Sequence, residues 1–88
     1  MSVDIYTTPF CPYCMDAKDL LKRKNVAFTE HDVSRDRMQR TAMIQRAGGR
    51  TSVPQIFIGA THVGGCDDLY ALDQAGTLDP LLQAGATS

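Results

Sequence analysis

Apolar positions change their spacing several times along the chain, and each change predicts a new element. The segment from Val3 to Thr7 is short and rich in β-branched and aromatic residues, which predicts a strand. From Pro12 to about Lys24, apolar side chains recur at helical spacing opposite a charged face, which predicts an amphipathic helix. The segment from Val26 to His31 then alternates as a partly buried strand does. These elements predict a βαβ unit that is complete by residue 32.

A second helix is predicted to follow this unit. Ser34 is placed to cap its N-terminus, and the Gly48-Gly49 pair is placed to end it because glycine adopts positive φ readily. The residues expected to face the sheet are Met38, Ala42, Met43 and Ala47. We therefore expect this helix to cover one face of the sheet.

The next part of the chain predicts a β-hairpin. Its strands are Gln55 to Ile58 and the shorter His62-Val63 segment, separated by a turn that contains Gly59. The predicted order is β-α-β-α-β-β-α with a terminal helical turn. This order implies an α/β fold in which a mixed sheet carries helices on both faces, with the first two strands parallel and the last two antiparallel.

Two short helices are predicted after the hairpin. Cys66 or Asp67 is expected to cap the first of them, which buries Leu69 and Leu72 and ends at Gly76. Asp79-Pro80 then begins the last helix, because proline suits the first helical turn.

Length and charge narrow the classes of function. The chain has 88 residues, which suffice for one compact domain, and we expect residues 1–84 to form it and residues 85–88 to be a flexible tail. The formal net charge of −1 gives no electrostatic footprint for nucleic acid. The N-terminus lacks the pattern of a secretory signal, and no apolar run is long enough to span a bilayer. We expect a soluble, cytoplasmic protein that acts through a local site.

Three cysteines point to that site. An odd number argues against a secreted disulfide framework, and the Cys11-Pro12-Tyr13-Cys14 spacing at a helix start suits disulfide exchange. With Cys11 as N-cap and Pro12 at the first helical position, the unpaired N–H groups of the first turn favour the thiolate of Cys11. Cys14 lies one turn further along, close enough to form a disulfide with Cys11 but deeper in the protein. The pattern therefore predicts that Cys11 attacks and Cys14 resolves.

A zinc site is the alternative that the residues themselves leave open. A structural zinc ion needs four ligands, and the workable set is Cys11, Cys14, His62 and Cys66. A Cys-x-x-Cys that follows a strand and opens a helix of a βαβ unit is the redox context, so we favour exchange chemistry and expect no metal.

Three separated motifs resemble those of the glutaredoxins, most closely the small bacterial dithiol members. They are Cys11-Pro12-Tyr13-Cys14, the stretch from Thr51 to Ile58 and the stretch from Gly64 to Leu69. The resemblance runs over nearly the whole chain. It implies a thioredoxin-like fold, with a four-stranded mixed sheet flanked by helices on both faces, and glutathione as the reductant.

The resemblance also implies a glutathione groove beside Cys11. In glutaredoxins the Val-Pro peptide is cis and lies opposite the active cysteine, so the backbone of Val53, before Pro54, is expected to pair with the tripeptide. The stretch of Gly65, Cys66 and Asp67 opens a helix whose N–H groups suit the γ-glutamyl carboxylate, and the Asp67 carboxylate suits the ammonium.

Two further groove residues follow from the resemblance. Tyr13 is expected to form an aromatic wall, and Arg40 to bind the glycyl carboxylate of glutathione, with Arg37 as the alternative. Many glutaredoxins carry a lysine three residues before the first active cysteine, where this chain has Thr8. This departure removes one cation from beside the sulfur.

The thiol of Cys66, whose backbone belongs to the predicted groove, and the two histidine side chains have no predicted role in the exchange chemistry. Cys66 is expected to be a buried thiol that could be oxidised only if it were exposed. His31 and His62 show no partner pattern, and we treat them as surface residues.

The predicted activity is glutathione-dependent reduction of protein-glutathione mixed disulfides and of protein disulfides. The expected partners are glutathione, its glutathionylated or disulfide-containing substrates, and glutathione reductase coupled through glutathione, with the protein a monomer. Two alternatives remain open: a dimer that shares a [2Fe–2S] cluster through Cys11 and two glutathiones, which the rigid Pro12 disfavours, and a glutathione-independent, thioredoxin-like electron donor.

Overall fold

The computed structural model describes the backbone of residues 2–87 and the side chains of residues 2–83. Its elements, in chain order, are β1 (Val3–Thr7), α1 (Pro12–Arg23), β2 (Thr29–Asp32), α2 (Arg37–Arg46), β3 (Gln55–Ile58), β4 (Thr61–Gly64), α3 (Cys66–Gln74) and α4 (Leu78–Thr87). The predicted order of strands and helices is confirmed.

The strands form one four-stranded sheet in the order β2-β1-β3-β4. Strand β1 pairs in parallel with β2 and antiparallel with β3, and β3 pairs antiparallel with β4. The predicted mixed sheet and the predicted hairpin are therefore both confirmed. Because β1 and β3 are central, the loops that follow β1 and precede β3 emerge side by side, where Tyr6 pairs with Gln55.

The larger apolar cluster lies on the sheet face covered by α1, α3 and α4. It joins alternate residues of β1 and β3 to the helices, and its fully buried members include Ile5, Leu21, Ile56, Leu69 and Leu78. Each such side chain contributes about 1.5–3 kcal/mol when it leaves water. This cluster fixes α1 on the sheet and so fixes the position of the cysteine pair at its N-terminus.

A smaller cluster lies on the opposite face under α2. Tyr6 and Phe57 from the sheet pack there against Met43 of the helix and against Ala47, its C-cap. Arg46 closes the cluster: its guanidinium lies 4.2 Å from the centre of the Phe57 ring. It also donates hydrogen bonds to Asp4, Tyr6 and the carbonyl of Gly59.

The prediction for α2 was wrong at its first turn. Asp36 is the N-cap, and its carboxylate accepts from the N–H groups of Met38 and Gln39. Ser34 instead belongs to a short turn in which its N–H and hydroxyl both donate to Asp32, at 2.8 and 2.6 Å. Only the second half of the helix packs on the sheet, so Met38 is 83% exposed and Ala42 is exposed too.

Several other boundaries also differ from the prediction. Strand β2 begins at Thr29 instead of Val26, because the residues just before it still belong to the end of α1. The chain leaves α1 through Asn25, which has a φ of 58°. The N–H of Val26 then donates a hydrogen bond to the carbonyl of Leu21 in the helix. Gly65, instead of Cys66 or Asp67, is the N-cap of α3.

The last helix, α4, begins at Leu78, one residue before Asp79, and runs to Thr87. The tail predicted at residues 85–88 lies outside the part of the chain whose side chains are described. Among the described residues, none of the helices combines the length and the apolar composition that a membrane span requires.

Candidate active site

Cys11 caps α1, as predicted. Its backbone is extended, and its Sγ accepts a hydrogen bond of 3.3 Å from the N–H of Cys14, with Pro12 in the first helical turn. A sulfur in this position faces the positive end of the helix and an N–H donor, the surroundings typical of a nucleophilic cysteine. Cys11 is partly exposed, and the preceding Phe10 adopts a φ of 61° with its side chain 99% exposed.

Cys14 is buried beneath Cys11, with only 1% of its surface exposed. Burial and the hydrogen bond with Cys11 raise the pKa of the Cys14 thiol to about 12, against a backbone hydrogen bond with Thr8 and the charge of Lys18, which lower it. Near neutral pH, Cys14 therefore stays protonated and out of reach of a large disulfide. Both observations support the predicted division of roles between the two cysteines.

A cleft of about 330 Å³ lies beside the cysteine pair. Its lining contains the predicted residues Tyr13, Val53, Pro54, Gly65, Cys66 and Asp67. The Val53-Pro54 peptide is cis, as the resemblance implied. Three segments that are distant in sequence, at α1, before β3 and at the start of α3, therefore meet around one concave surface. Cys11 and Cys14 are not among the described residues that line the cleft, and Tyr13, which lies between them in the chain, connects the cleft to the cysteine pair.

Comparison with known proteins agrees with this architecture. The sequence model of glutaredoxin matches residues 3–63. Glutaredoxin 3 of Escherichia coli (strain K12) is 57% identical over 82 residues, which make up 93% of this chain and 98% of that protein. The chain belongs to the glutaredoxin family. Its site is accordingly a redox site, built on a thioredoxin-like fold.

Solved glutaredoxins share the fold closely. The solution structure of glutaredoxin from Brucella melitensis is 55% identical, with a TM-score of 0.83 over 97% of this chain and 91% of that one. A buckwheat glutaredoxin-glutathione complex is 25% identical, with a TM-score of 0.86 over 96% and 78%. A structure described as "Metal Binding of Glutaredoxins" is 55% identical, with a TM-score of 0.72 over 96% and 90%.

The structure of this glutaredoxin places Arg50, Ser52 and Asp68 in the cleft, which sequence reasoning missed. Arg40 is exposed on α2 and is not among the described residues that line the cleft, and neither is Arg37. Arg50 instead supplies the guanidinium there, 3.5 Å from the carboxylate of Asp68. Arg50 lies between the Gly48-Gly49 turn and the cis-proline segment, and this position in the sequence could have predicted that it lines the cleft.

Two glycines shape the end of the cleft near α3. Gly64 has a φ of 113°, and a Cβ there would collide with the Asp68 carboxylate and lie 2.9 Å from Nη1 of Arg50. The N–H of Gly65 donates to Asp68 Oδ2 at 2.9 Å, and this bond holds the first turn of α3. Glycine at position 64 therefore lets the Arg50-Asp68 pair pack directly against the backbone.

Cys66 is buried, with 8% of its surface exposed. Burial raises the pKa of its thiol, and the negative charges of Asp16, Asp67 and Cys11 raise it further. Oxidation of Cys66 was expected only if its thiol were exposed, and the thiol is buried. Cys66 therefore serves as part of the wall of the cleft.

The two histidines are not free surface residues, so the prediction for them was wrong. His31 bonds to Asp4 at 3.1 Å and stacks on Tyr6. His62 bonds to Gln55 at 2.7 Å and stacks on Phe57, with ring centres 4.7 Å apart. Burial lowers the pKa of His62, and the charges of Arg50 and Arg46 lower it further against an opposing effect of Asp68.

The zinc alternative requires His62 to join the three cysteines. His62 instead lies against Phe57, in the sheet face under α2. Within the described part of the chain, no three histidine, cysteine or acidic side chains form a group that could hold a metal ion.

Proposed function

We propose that this glutaredoxin is a glutathione-dependent thiol-disulfide oxidoreductase that reduces protein-glutathione mixed disulfides and protein disulfides. The observation that carries the proposal is the cleft beside Cys11, which joins the cis Val53-Pro54 peptide to the N-terminus of α3. A dithiol donor that exchanges with proteins alone has no need of a tripeptide-sized cleft with this lining. The structural similarity to a buckwheat glutaredoxin-glutathione complex supports the same ligand.

Each part of glutathione has a partner in the cleft. The backbone of Val53, which lines the cleft, pairs with the cysteinyl unit as one strand pairs with another. The N–H groups at the start of α3 bind the γ-glutamyl carboxylate, and Asp67 binds the ammonium. We assign the glycyl carboxylate to Arg50, because Arg50 is the cationic side chain among the described lining residues.

Deglutathionylation then needs Cys11 alone. The thiolate of Cys11 attacks the glutathione sulfur of the mixed disulfide, a Cys11-glutathione disulfide forms, and the protein thiolate leaves and takes up a proton. The thiolate of a second glutathione attacks the bound glutathione sulfur. Oxidised glutathione leaves and the Cys11 thiolate is restored.

Reduction of a protein disulfide also needs Cys14. Cys11 attacks one sulfur of the substrate disulfide, and the other sulfur leaves as a thiolate. Cys14 gives up its proton to this thiolate through solvent and attacks the sulfur of Cys11. The remaining substrate sulfur leaves as a thiolate and takes up a proton from solvent, so the substrate is released as a dithiol. Two glutathiones reduce the resulting Cys11-Cys14 disulfide. Because glutathione reductase must then regenerate the glutathione, we place the protein in the cytoplasm, where the glutathione pool is reducing, and we expect it to act as a monomer.

A coupled assay tests the proposal. With a glutathionylated peptide as substrate, we expect NADPH oxidation with glutathione and glutathione reductase, and little or none with thioredoxin reductase in their place. Turnover with thioredoxin reductase alone would overturn the glutathione assignment in favour of a thioredoxin-like donor.

The same preparation tests the cluster alternative, for which the similarity to "Metal Binding of Glutaredoxins" is the supporting comparison. Pro12 in the first helical turn stiffens the segment beside Cys11, so we expect colourless, metal-free protein after anaerobic expression. Visible absorption that disappears when glutathione is removed would establish a cluster-binding form.

A further inference from the structure

A buried amide connects the cis-proline segment to the outer strand of the sheet. Gln55 is fully buried in β3, directly after Pro54. Its Nε2 donates to the carbonyl of Ser52 at 3.0 Å and approaches the Ser52 hydroxyl at 3.2 Å, while its Oε1 lies 2.7 Å from Nε2 of His62. A buried amide without hydrogen-bond partners would destabilise the fold. These contacts therefore fix the orientation of the Gln55 amide.

The chemistry of the partners determines the direction of these bonds. The carbonyl of Ser52 can only accept, so the nitrogen of the Gln55 amide must face Ser52 and its oxygen must face His62. His62 must therefore donate from Nε2. Its lowered pKa means that the ring is neutral near pH 7 with a single N–H, and Gln55 holds that hydrogen on Nε2.

The far end of this chain of hydrogen bonds is the cleft. Ser52, Val53 and Pro54 all line it, whereas Gln55 and His62 do not. We infer that His62 and Gln55 are positioning residues for glutathione, which hold the Ser52-Pro54 segment in the conformation that presents the Val53 backbone to the tripeptide. The inference rests on the proposed function and identifies which residues outside the cleft set its affinity.

His31 supplies a matched control. It stacks on Tyr6 with ring centres 4.6 Å apart, bonds through Nε2 to Asp4, and is partly buried like His62. It lies on β2, at the opposite edge of the sheet from β4. His31→Phe therefore keeps a ring and removes a hydrogen bond, as His62→Phe does, without touching the Ser52-Pro54 segment.

The test compares His62→Phe, which keeps a ring against Phe57 but cannot donate, with His62→Gln, which restores an N–H donor. For a glutathionylated peptide in the glutathione reductase assay, we expect His62→Phe to raise KM about 5- to 10-fold, as the loss of one buried hydrogen bond predicts. We expect kcat to stay within about twofold of the parent value. His62→Gln should restore most of the KM, and His31→Phe should leave it unchanged.

A second variant tests whether the two residues act as one unit. Gln55→Met should raise KM as His62→Phe does, and the double variant should raise it no further, because both break the same chain of hydrogen bonds. The rate at which iodoacetamide alkylates Cys11 should be the same in every variant, since none of them touches the nucleophile.

Three results would overturn the inference. Equal KM values for His62→Phe and His31→Phe would show that His62 acts on the fold alone. Additive effects of His62→Phe and Gln55→Met would show that the two residues act separately. Failure of the parent protein to use glutathione at all would reject the proposed function and the inference with it, and this outcome is recognised before any variant is compared.

Discussion

The backbone N–H of Cys14 donates a hydrogen bond of 3.3 Å to the sulfur of Cys11. The residue that we propose to resolve the disulfide thus also donates to the sulfur that we propose to attack first. Its own sulfur lies below the surface, with a pKa raised to about 12 mainly by burial. One turn of helix therefore places two chemically identical side chains in different surroundings, with Cys11 partly exposed and Cys14 buried.

Cys14→Ser should separate the two reactions. We expect deglutathionylation to persist and reduction of a protein disulfide to fall by about 100-fold or more, because no thiol in solution matches the effective concentration of a neighbouring one. Cys11→Ser should abolish both, and Cys66→Ser, which removes the third thiol, should preserve both. Rates with a glutathionylated peptide and with a disulfide-bonded protein give the comparison. A Cys14→Ser protein inactive in both assays would refute the division of roles.

Arg50→Gln should weaken the binding of glutathionylated substrate. We expect KM to rise about 3- to 10-fold at low ionic strength and the difference from the parent to shrink at about 0.5 M salt, where charge interactions are screened. Arg40→Gln removes the same charge from the exposed face of α2 and is the matched control. If Arg40→Gln raised KM and Arg50→Gln did not, the assignment of the glycyl carboxylate would move to α2.

Gly64→Ala should destabilise the fold at the end of the cleft. At a φ of 113°, alanine is strained by about 1–3 kcal/mol, and its Cβ would also displace the Asp68 carboxylate. Gly48→Ala is the control, because its φ of 66° is strained too but a Cβ there meets open space. Urea denaturation should show the larger loss of unfolding free energy for Gly64→Ala. Equal losses would mean that backbone strain alone accounts for the effect.

Asp4 should make stability depend on pH. Burial opposes its ionisation, but hydrogen bonds with His31 and Arg46 outweigh burial and hold the pKa of the carboxyl below its usual value of 3.8. A lowered pKa in the folded state means that the ionised group stabilises the fold above that value. The contribution is lost as the pH falls through the folded-state pKa.

Asp4→Asn should therefore lower the free energy of unfolding by about 1–3 kcal/mol near pH 7, the usual contribution of hydrogen bonds to a charged group. The difference from the parent should narrow as the pH falls below 3.8. Asp19→Asn, on the exposed side of α1, should show little difference at either pH. A difference for Asp4→Asn that stays constant with pH would show that the charge is not its source.

Local patterns in the sequence were enough to predict the order of elements, the limits of β3 and the chemistry of the cysteine pair. Strand β3 was predicted to the residue because a proline precedes it and Gly59 follows it. Cys11 was predicted as the N-cap because Pro12 has only one comfortable position in a helix. These features depend on residues that are adjacent in the chain, so the sequence alone is enough to predict them.

Only the tertiary structure decided which distant side chains meet. The sequence pattern of α2 correctly placed Met43 and Ala47 against the sheet, but it also placed Met38 and Ala42 there. Both are exposed, because only the second half of the helix reaches the sheet. Among the described residues, Arg50 lines the cleft and Arg40 does not. His62 forms a hydrogen bond with Gln55 on the adjacent strand. Such contacts follow from strand register and from the rotation of helices against the sheet, which the whole packed chain determines and no local segment encodes.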